Sequence, residues 1–326
     1  MIFAVSAPAL LIGAAWFSAA AARFLSKDAA AGFAAVAMGA ALPELALALA
    51  AVLSGRPELV LPIVLGSSVA NIFLVVGAAA VAAKKLPVAD ECVRADAPLL
   101  AAGAAMLWFC AADGVIFFEE GLLMAAGFLA CAGFLAARGR INRFTPRDIV
   151  APGFFAAAGG LVEIVGARFG RGFGGRAENR AGALLRGMAG AVLLALAAIF
   201  AVETLTGAAK ALGISSVPLA FSVLAVAAAL PEIWGSLKII AKKRYEVVMG
   251  NVFSATAVNV LLVVGVAAMF SPLPVGASVA TVGLPFFAGA VALLTVSGFS
   301  RKISSGQGWL YLFLYLLFLA KIFQVF

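Results

Sequence analysis

Two glutamates carry most of the chemistry this sequence could perform. Glu44 follows Pro43 in "GAALPELALALA" and Glu232 follows Pro231 in "AAALPEIW", each pair set in a run that is otherwise small and apolar. Proline cannot donate to the carbonyl four residues back and its ring crowds that turn, so both prolines read as helix breaks. Carbonyls near Gly39 and Ala40, and near Ala227 and Ala228, lose helical partners, and in a bilayer such orphans must be satisfied. A dehydrated cation held by the adjacent carboxylate would satisfy them. Carboxylates at mid-membrane depth are costly and mark ion pathways, and no basic residue lies at comparable depth to neutralise these two.

Neutral oxygens stand near in sequence. Ser67 precedes Asn71 by four residues and Thr256 precedes Asn259 by three, so each hydroxyl shares its asparagine's helix face. Two carboxylates among neutral oxygens describe a calcium site better than a transition-metal or magnesium cage. The chain has no histidine, and Cys92, Cys110 and Cys131 show no metal-ligand spacing, which disfavours imidazole or thiolate chemistry. The competing structural reading has both glutamates protonated and bonded between helices, with Asn71 and Asn259 as interhelical glue. Gly66, Gly77 and Gly265 read as close-packing positions, and Glu203 as either an entrance residue or a solvated one.

The elements that must position these residues are membrane helices. Of 326 residues 65% are hydrophobic and 12% charged, with a mean hydropathy of +1.14, more apolar surface than one soluble core can hide. Apolar blocks recur at the length that crosses ~30 Å of hydrocarbon. They give about ten spans, near 2–22, 29–53, 59–83, 97–112, 115–137, 183–208, 217–240, 247–270, 277–299 and 308–326. The first lacks a basic leader and reads as a retained helix. Between the fifth and sixth lies a basic loop over 138–182, in which 149–167 reads as an interfacial or re-entrant piece. With the N-terminus outside, every Lys and Arg except Arg56, Lys210 and Lys321 falls on the cytoplasmic side. That pattern accounts for the net charge of +8 without nucleic acid.

A repeat runs through the chain at an offset of 188: Pro43 with Pro231, Glu44 with Glu232, Asn71 with Asn259, Gly77 with Gly265. An odd number of spans per copy turns the second copy over. The expected fold is an all-α membrane protein of two inverted five-helix repeats, 1–137 and 183–326, an architecture whose sites lie at the midplane where the copies meet.

At these residues the sequence resembles the calcium:cation antiporter superfamily, the sodium/calcium exchanger family. The family pattern is G-T-S-L-P-E followed by G-N-x-x-G-S-N-x-x-[ND]; here the segments read "GAALPE" with "PIVLGSSVAN", and "AAALPE" with "GNVFSATAVN". The resemblance implies secondary antiport by alternating access, without enzymatic activity or a cofactor, in a prokaryotic inner membrane. Its ion site would comprise Glu44, Glu232, the carbonyls of Ala40 and Ala228, Asn71, Asn259 and Ser67, with Thr256, Asn251 and Glu203 secondary. The first helix of each half, near Trp16 and Glu203, would slide against spans two, three, seven and eight. The family's Thr-Ser before Leu-Pro-Glu has become Ala40-Ala41 and Ala228-Ala229, and its second Gly-Ser has become Ser254-Ala255. Alanine still offers a backbone carbonyl to calcium, but Ala41, Ala229 and Ala255 cannot supply the serine hydroxyls that line sodium sites. The expected exchange is therefore Ca²⁺ for H⁺ or Na⁺, with the proton the simpler partner. Three alternatives stay open: another cation such as Mg²⁺ or a monovalent ion, a non-transporting homologue, and, least favoured, an intramembrane enzyme. The expected partners are inorganic cations and the lipid bilayer.

Overall fold

The computed structural model describes residues 9–10, 12–13, 16–17, 41–90, 92–137, 180–241, 243 and 245–324. Apolar sequence with no water to satisfy its backbone has one economical solution, the helix. Among the described residues the helices from residue 41 onward are α1 (Leu42–Leu53), α2 (Pro57–Ala83), α3 (Cys92–Cys110), α4 (Phe118–Ala137) and α5 (Arg180–Leu212). They continue with α6 over 216–241, α7 over 245–270, α8 (Val279–Phe299) and α9 (Ser305–Ile322). Six described helices are long and apolar enough to cross a membrane, which makes the chain a multi-pass membrane protein. Their ends carry ordinary stop signals. Ser304 and Gln307 form a reciprocal capping box at the start of α9, and Gly55, with φ of 68°, turns the chain after α1.

Helix α2 is the centre of the molecule, buried along nearly its whole length, whereas α3, α5, α8 and α9 keep apolar faces turned outward. Phe109, Leu185, Phe299 and Trp309 on those faces are exposed, as side chains that meet lipid should be. Helix α2 packs on α1, α6 and α7. At Gly66 its backbone comes so close to the Phe221 carbonyl of α6 that a methyl group could not enter. Gly77 meets Gly308 of α9, and Gly265 of α7 meets Gly121 of α4, so all three glycines sit at close helix crossings, as the sequence predicts.

The sequence reading did not anticipate any strand. Two short antiparallel ladders join the loops: β1 (Lys85–Pro87) pairs with β4 (Lys302–Ser304), and β2 (Val115–Ile116) with β3 (Leu273–Pro274). Their registers are related by the repeat offset. Lys85 faces Ser304 and Leu273 faces Ile116; Leu86 faces Ile303 and Pro274 faces Val115. Helix α3 separates β1 from β2, so the two ladders lie at its opposite ends.

Boundaries moved with the ladders. The fourth span begins at Cys92, five residues before the expected start, and the fifth at Phe118, because Val115 and Ile116 are taken up by β2. Most of the expected first span, the start of the second through Ala40, and 149–167 with the loop around it lie outside the described residues.

Candidate functional site

Helix α1 begins at Leu42, so Pro43 and Glu44 occupy its first turn, where a missing N–H costs least and a carboxylate complements the helix dipole. Its counterpart differs. Helix α6 runs straight through Pro231 to Ala241, so this proline does not break the helix as the sequence suggests. Its effect is limited to one missing donor, which leaves the Ala227 carbonyl without its helical partner. The helical irregularity in α6 lies earlier, in a wide turn over Ala220–Leu224.

Wide π-helical turns also mark the asparagines. One spans Ala70–Val76 and includes Asn71; the other spans Asn259–Val263 and begins at Asn259. Such turns displace side chains from the regular helical stagger and recur at functional positions. They place both amides in the interior of the four-helix contact made by α1, α2, α6 and α7.

There the sequence-predicted residues converge. Glu44, Ser67, Asn71, Glu232, Thr256 and Asn259 are all buried, Glu44 completely. The two carboxylates are near enough to act on each other electrostatically, and the Asn259 amide reaches toward Glu44. Yet neither oxygen of either glutamate closes a hydrogen bond, and the same holds for both amide atoms of Asn71 and for Asn259 Oδ1. Asn259 Nδ2 donates to Ser67 Oγ at 3.3 Å, a bond between the two halves, and Ser67 in turn donates to the Val64 carbonyl at 3.1 Å. Ala228 is buried on α6 one turn before Glu232, whereas Ala40 lies outside the described residues.

Not every candidate has a free oxygen at this contact. The Thr256 hydroxyl donates to the Val252 carbonyl of its own helix at 2.8 Å. Asn251 is only half-buried, and Glu203 is exposed on α5, where its carbonyl accepts from Thr206. Among the described residues no three of Asp, Glu, His and Cys gather as a metal cluster. A cation here would therefore complete its shell with amide, hydroxyl and carbonyl oxygens, the set that suits hard ions. Two buried hydroxyls escaped the sequence reading. Ser68 and Ser236 have no hydrogen-bond partner, and the only signal available for them was their spacing from Asn71 and Glu232.

The first helix and α5 meet at Gly13 and Gly190, backbone against backbone. Beside that crossing lies a cavity of about 240 Å³, lined by apolar side chains including Phe17, Leu42, Leu45, Leu194 and Ile199.

Comparison with known proteins agrees with this arrangement. The sequence model for the sodium/calcium exchanger protein family matches residues 1–137 and 183–324. "Putative antiporter CaxA" of Alkalimonas amylolytica is 27% identical over 84% of this chain and 81% of its own length. The inner membrane protein YrbG of Escherichia coli K12 is 24% identical over 74% of this chain and 69% of its own. Among solved structures, the sodium-calcium exchanger NCX_Mj soaked with Na⁺ and Sr²⁺ superposes with a TM-score of 0.63 at 20% identity, covering 98% of this chain and 97% of that one. With a family match over most of its length and that fold, the chain belongs to the sodium/calcium exchanger protein family of multi-pass membrane proteins.

Proposed function

We propose that the chain is a secondary antiporter that exchanges Ca²⁺ for H⁺ or Na⁺ through a midplane site built on Glu44 and Glu232. The observation that carries this reading is the buried carboxylate pair, from repeat-related positions, with all four oxygens unpartnered. Two buried anions without a counter-charge are unaffordable unless a cation or protons neutralise them. One Ca²⁺ or two protons would do so equally, and that equivalence makes the site an exchanger. An empty doubly charged site is too costly to reorient, so the carrier waits for a counter-ion. Asn71, Asn259, Ser67 and the carbonyls of Ala40 and Ala228 would supply neutral oxygens.

The architecture we infer is two inverted five-helix repeats, 1–137 and 183–326, joined by a basic segment over 138–182. The ladders support it: β3 is the repeat counterpart of β1, yet it pairs with β2 at the far end of α3. One ladder's loops carry Lys84, Lys85, Arg301 and Lys302, while the other's carry Asp113 and no basic residue. That asymmetry favours the β1–β4 face as cytoplasmic, with the N-terminus outside, and the family resemblance favours an inner-membrane location.

The test is Ca²⁺ uptake into proteoliposomes under an outward H⁺ or Na⁺ gradient, comparing wild type with Glu232→Gln. Uptake driven by either gradient and lost in the variant supports the site. Wild-type rates in Glu232→Gln would refute it. Because Ca²⁺ displaces protons, acidification should weaken Ca²⁺ binding, with log Kd falling as pH rises at a limiting slope of about −2. A Na⁺-driven, pH-independent flux would instead assign sodium as the counter-ion. Mg²⁺ or a monovalent cation is the second reading, separated by competition against Ca²⁺.

A further inference from the structure

Most hydroxyls that these helices draw inward follow a rule that two serines break, Ser68 on α2 and Ser236 on α6. Ser222, Thr256 and Thr295 each donate to the carbonyl four residues back, the ordinary refuge for a hydroxyl in an apolar helix. Ser236 is 1% exposed, and its Oγ has no partner at all. It lies four residues after Glu232, one turn along α6 on the same face, where side chains stand about 5–6 Å apart at Cβ. Both Glu232 oxygens are likewise unpartnered. At that spacing a carboxylate oxygen and a hydroxyl can both approach one ion at the ~2.3–2.6 Å typical of calcium.

The position has no equivalent in the first half, where Ala48 occupies it after Glu44. The surroundings sharpen the point. Beyond Glu232, α6 heads toward the face of the β1–β4 ladder, because α7 starts against β1. On that side α2 contributes only Gly, Ala and Val over 77–83. Ser236 is the hydroxyl that α6 itself places between Glu232 and that face.

We propose that Glu232 and Ser236 form a one-sided staging subsite, which receives the partly hydrated divalent cation as it passes between the paired-glutamate centre and the β1–β4 face. The ion exchanges part of its water shell for the hydroxyl while still held by one carboxylate, then moves one turn to gain the second. On the opposite side α1 builds no such step, because Ala48 stands one turn after Glu44 and offers no oxygen. The two faces of the carrier therefore differ in apparent affinity although the centre is shared. The inference rests on the antiport reading above.

The experiment measures the half-saturating Ca²⁺ concentration from each face, in everted and in right-side-out membrane vesicles, for wild type, Ser236→Ala and Ala48→Ser. Loss of a hydroxyl bonded to a charged partner corresponds to roughly tenfold in affinity. Ser236→Ala should raise the half-saturating concentration by about that factor at the β1–β4 face only, with thermal stability retained. Ala48→Ser should lower it at the opposite face. Equal shifts at both faces, or none with either variant, would overturn the subsite while leaving the antiporter intact. Absence of wild-type exchange from both faces would overturn the antiport reading and this inference with it.

Discussion

In the first half the hydroxyl of Ser67 accepts from Asn259; in the second half the matching position is Ala255, and the amide of Asn71 has nothing to hold. The halves thus share their carboxylates but not the groups that fix their amides. Asn259 is tied at its nitrogen, which leaves Oδ1 as its free end. Asn71 is free at both atoms. The same inequality recurs elsewhere. Gly66 is pressed on the Phe221 carbonyl, while its counterpart Ser254 is exposed; Ser236 has no counterpart hydroxyl; and Arg301 pairs with Asp90 on one ladder, where the other ladder has no ion pair among the described residues. The sequence repeat keeps its two glutamates and lets the groups around them diverge, an inequality that the proposed site would present to its two faces.

The largest test of this comparison concerns what the halves share. Glu44→Gln and Glu232→Gln should each abolish exchange in proteoliposomes with folding retained, and residual flux in one alone would show that the carboxylates are unequal too. Next in size is a difference of packing. Gly66→Ala should lower thermal stability by about 1–3 kcal/mol, whereas Ser254→Ala should stay within about 0.5 kcal/mol. Similar losses at both would mean that α2 and α6 do not meet as closely as described. Ser67→Ala strands the buried Asn259 amide and should cost about 1–3 kcal/mol, while Ala255→Ser should recover about 0.5–1.5 kcal/mol by giving Asn71 an anchor. Denaturation followed by tryptophan fluorescence in detergent reads both. The smallest effect belongs to the ladders: Asp90→Asn removes a solvent-exposed ion pair and should cost less than about 1 kcal/mol in the same assay.

Much of this was legible from spacing. The pairs at offset 188 located Glu44, Glu232, Asn71 and Asn259, because Pro, Glu and Asn stand out against Ala, Leu and Val. The three glycines announced close crossings for the same reason. The ladders were not legible, since strands of two or three residues carry no period, and each strand's partner lies far away in the sequence. Pro231 misled because a proline's missing donor weakens one bond, and packing against α2 and α7 holds the helix through it. Ser236 stayed invisible because a serine among apolar residues usually bonds its own helix. Only the structure shows that it does not.

The pairing of β1 with β4 also bears on how the protein is made. Strand Lys85–Pro87 leaves the ribosome long before Lys302–Ser304; at about 5–20 residues per second the wait is roughly 10–40 s. Over that interval the loop after α2 has backbone groups with no strand to receive them, and it must rely on interfacial water. The ladder β2–β3 closes earlier, once the chain has passed Pro274. Of the two ladders β1–β4 therefore closes last, and a nascent chain stalled after α8 would carry both glutamates, both asparagines and an open clasp.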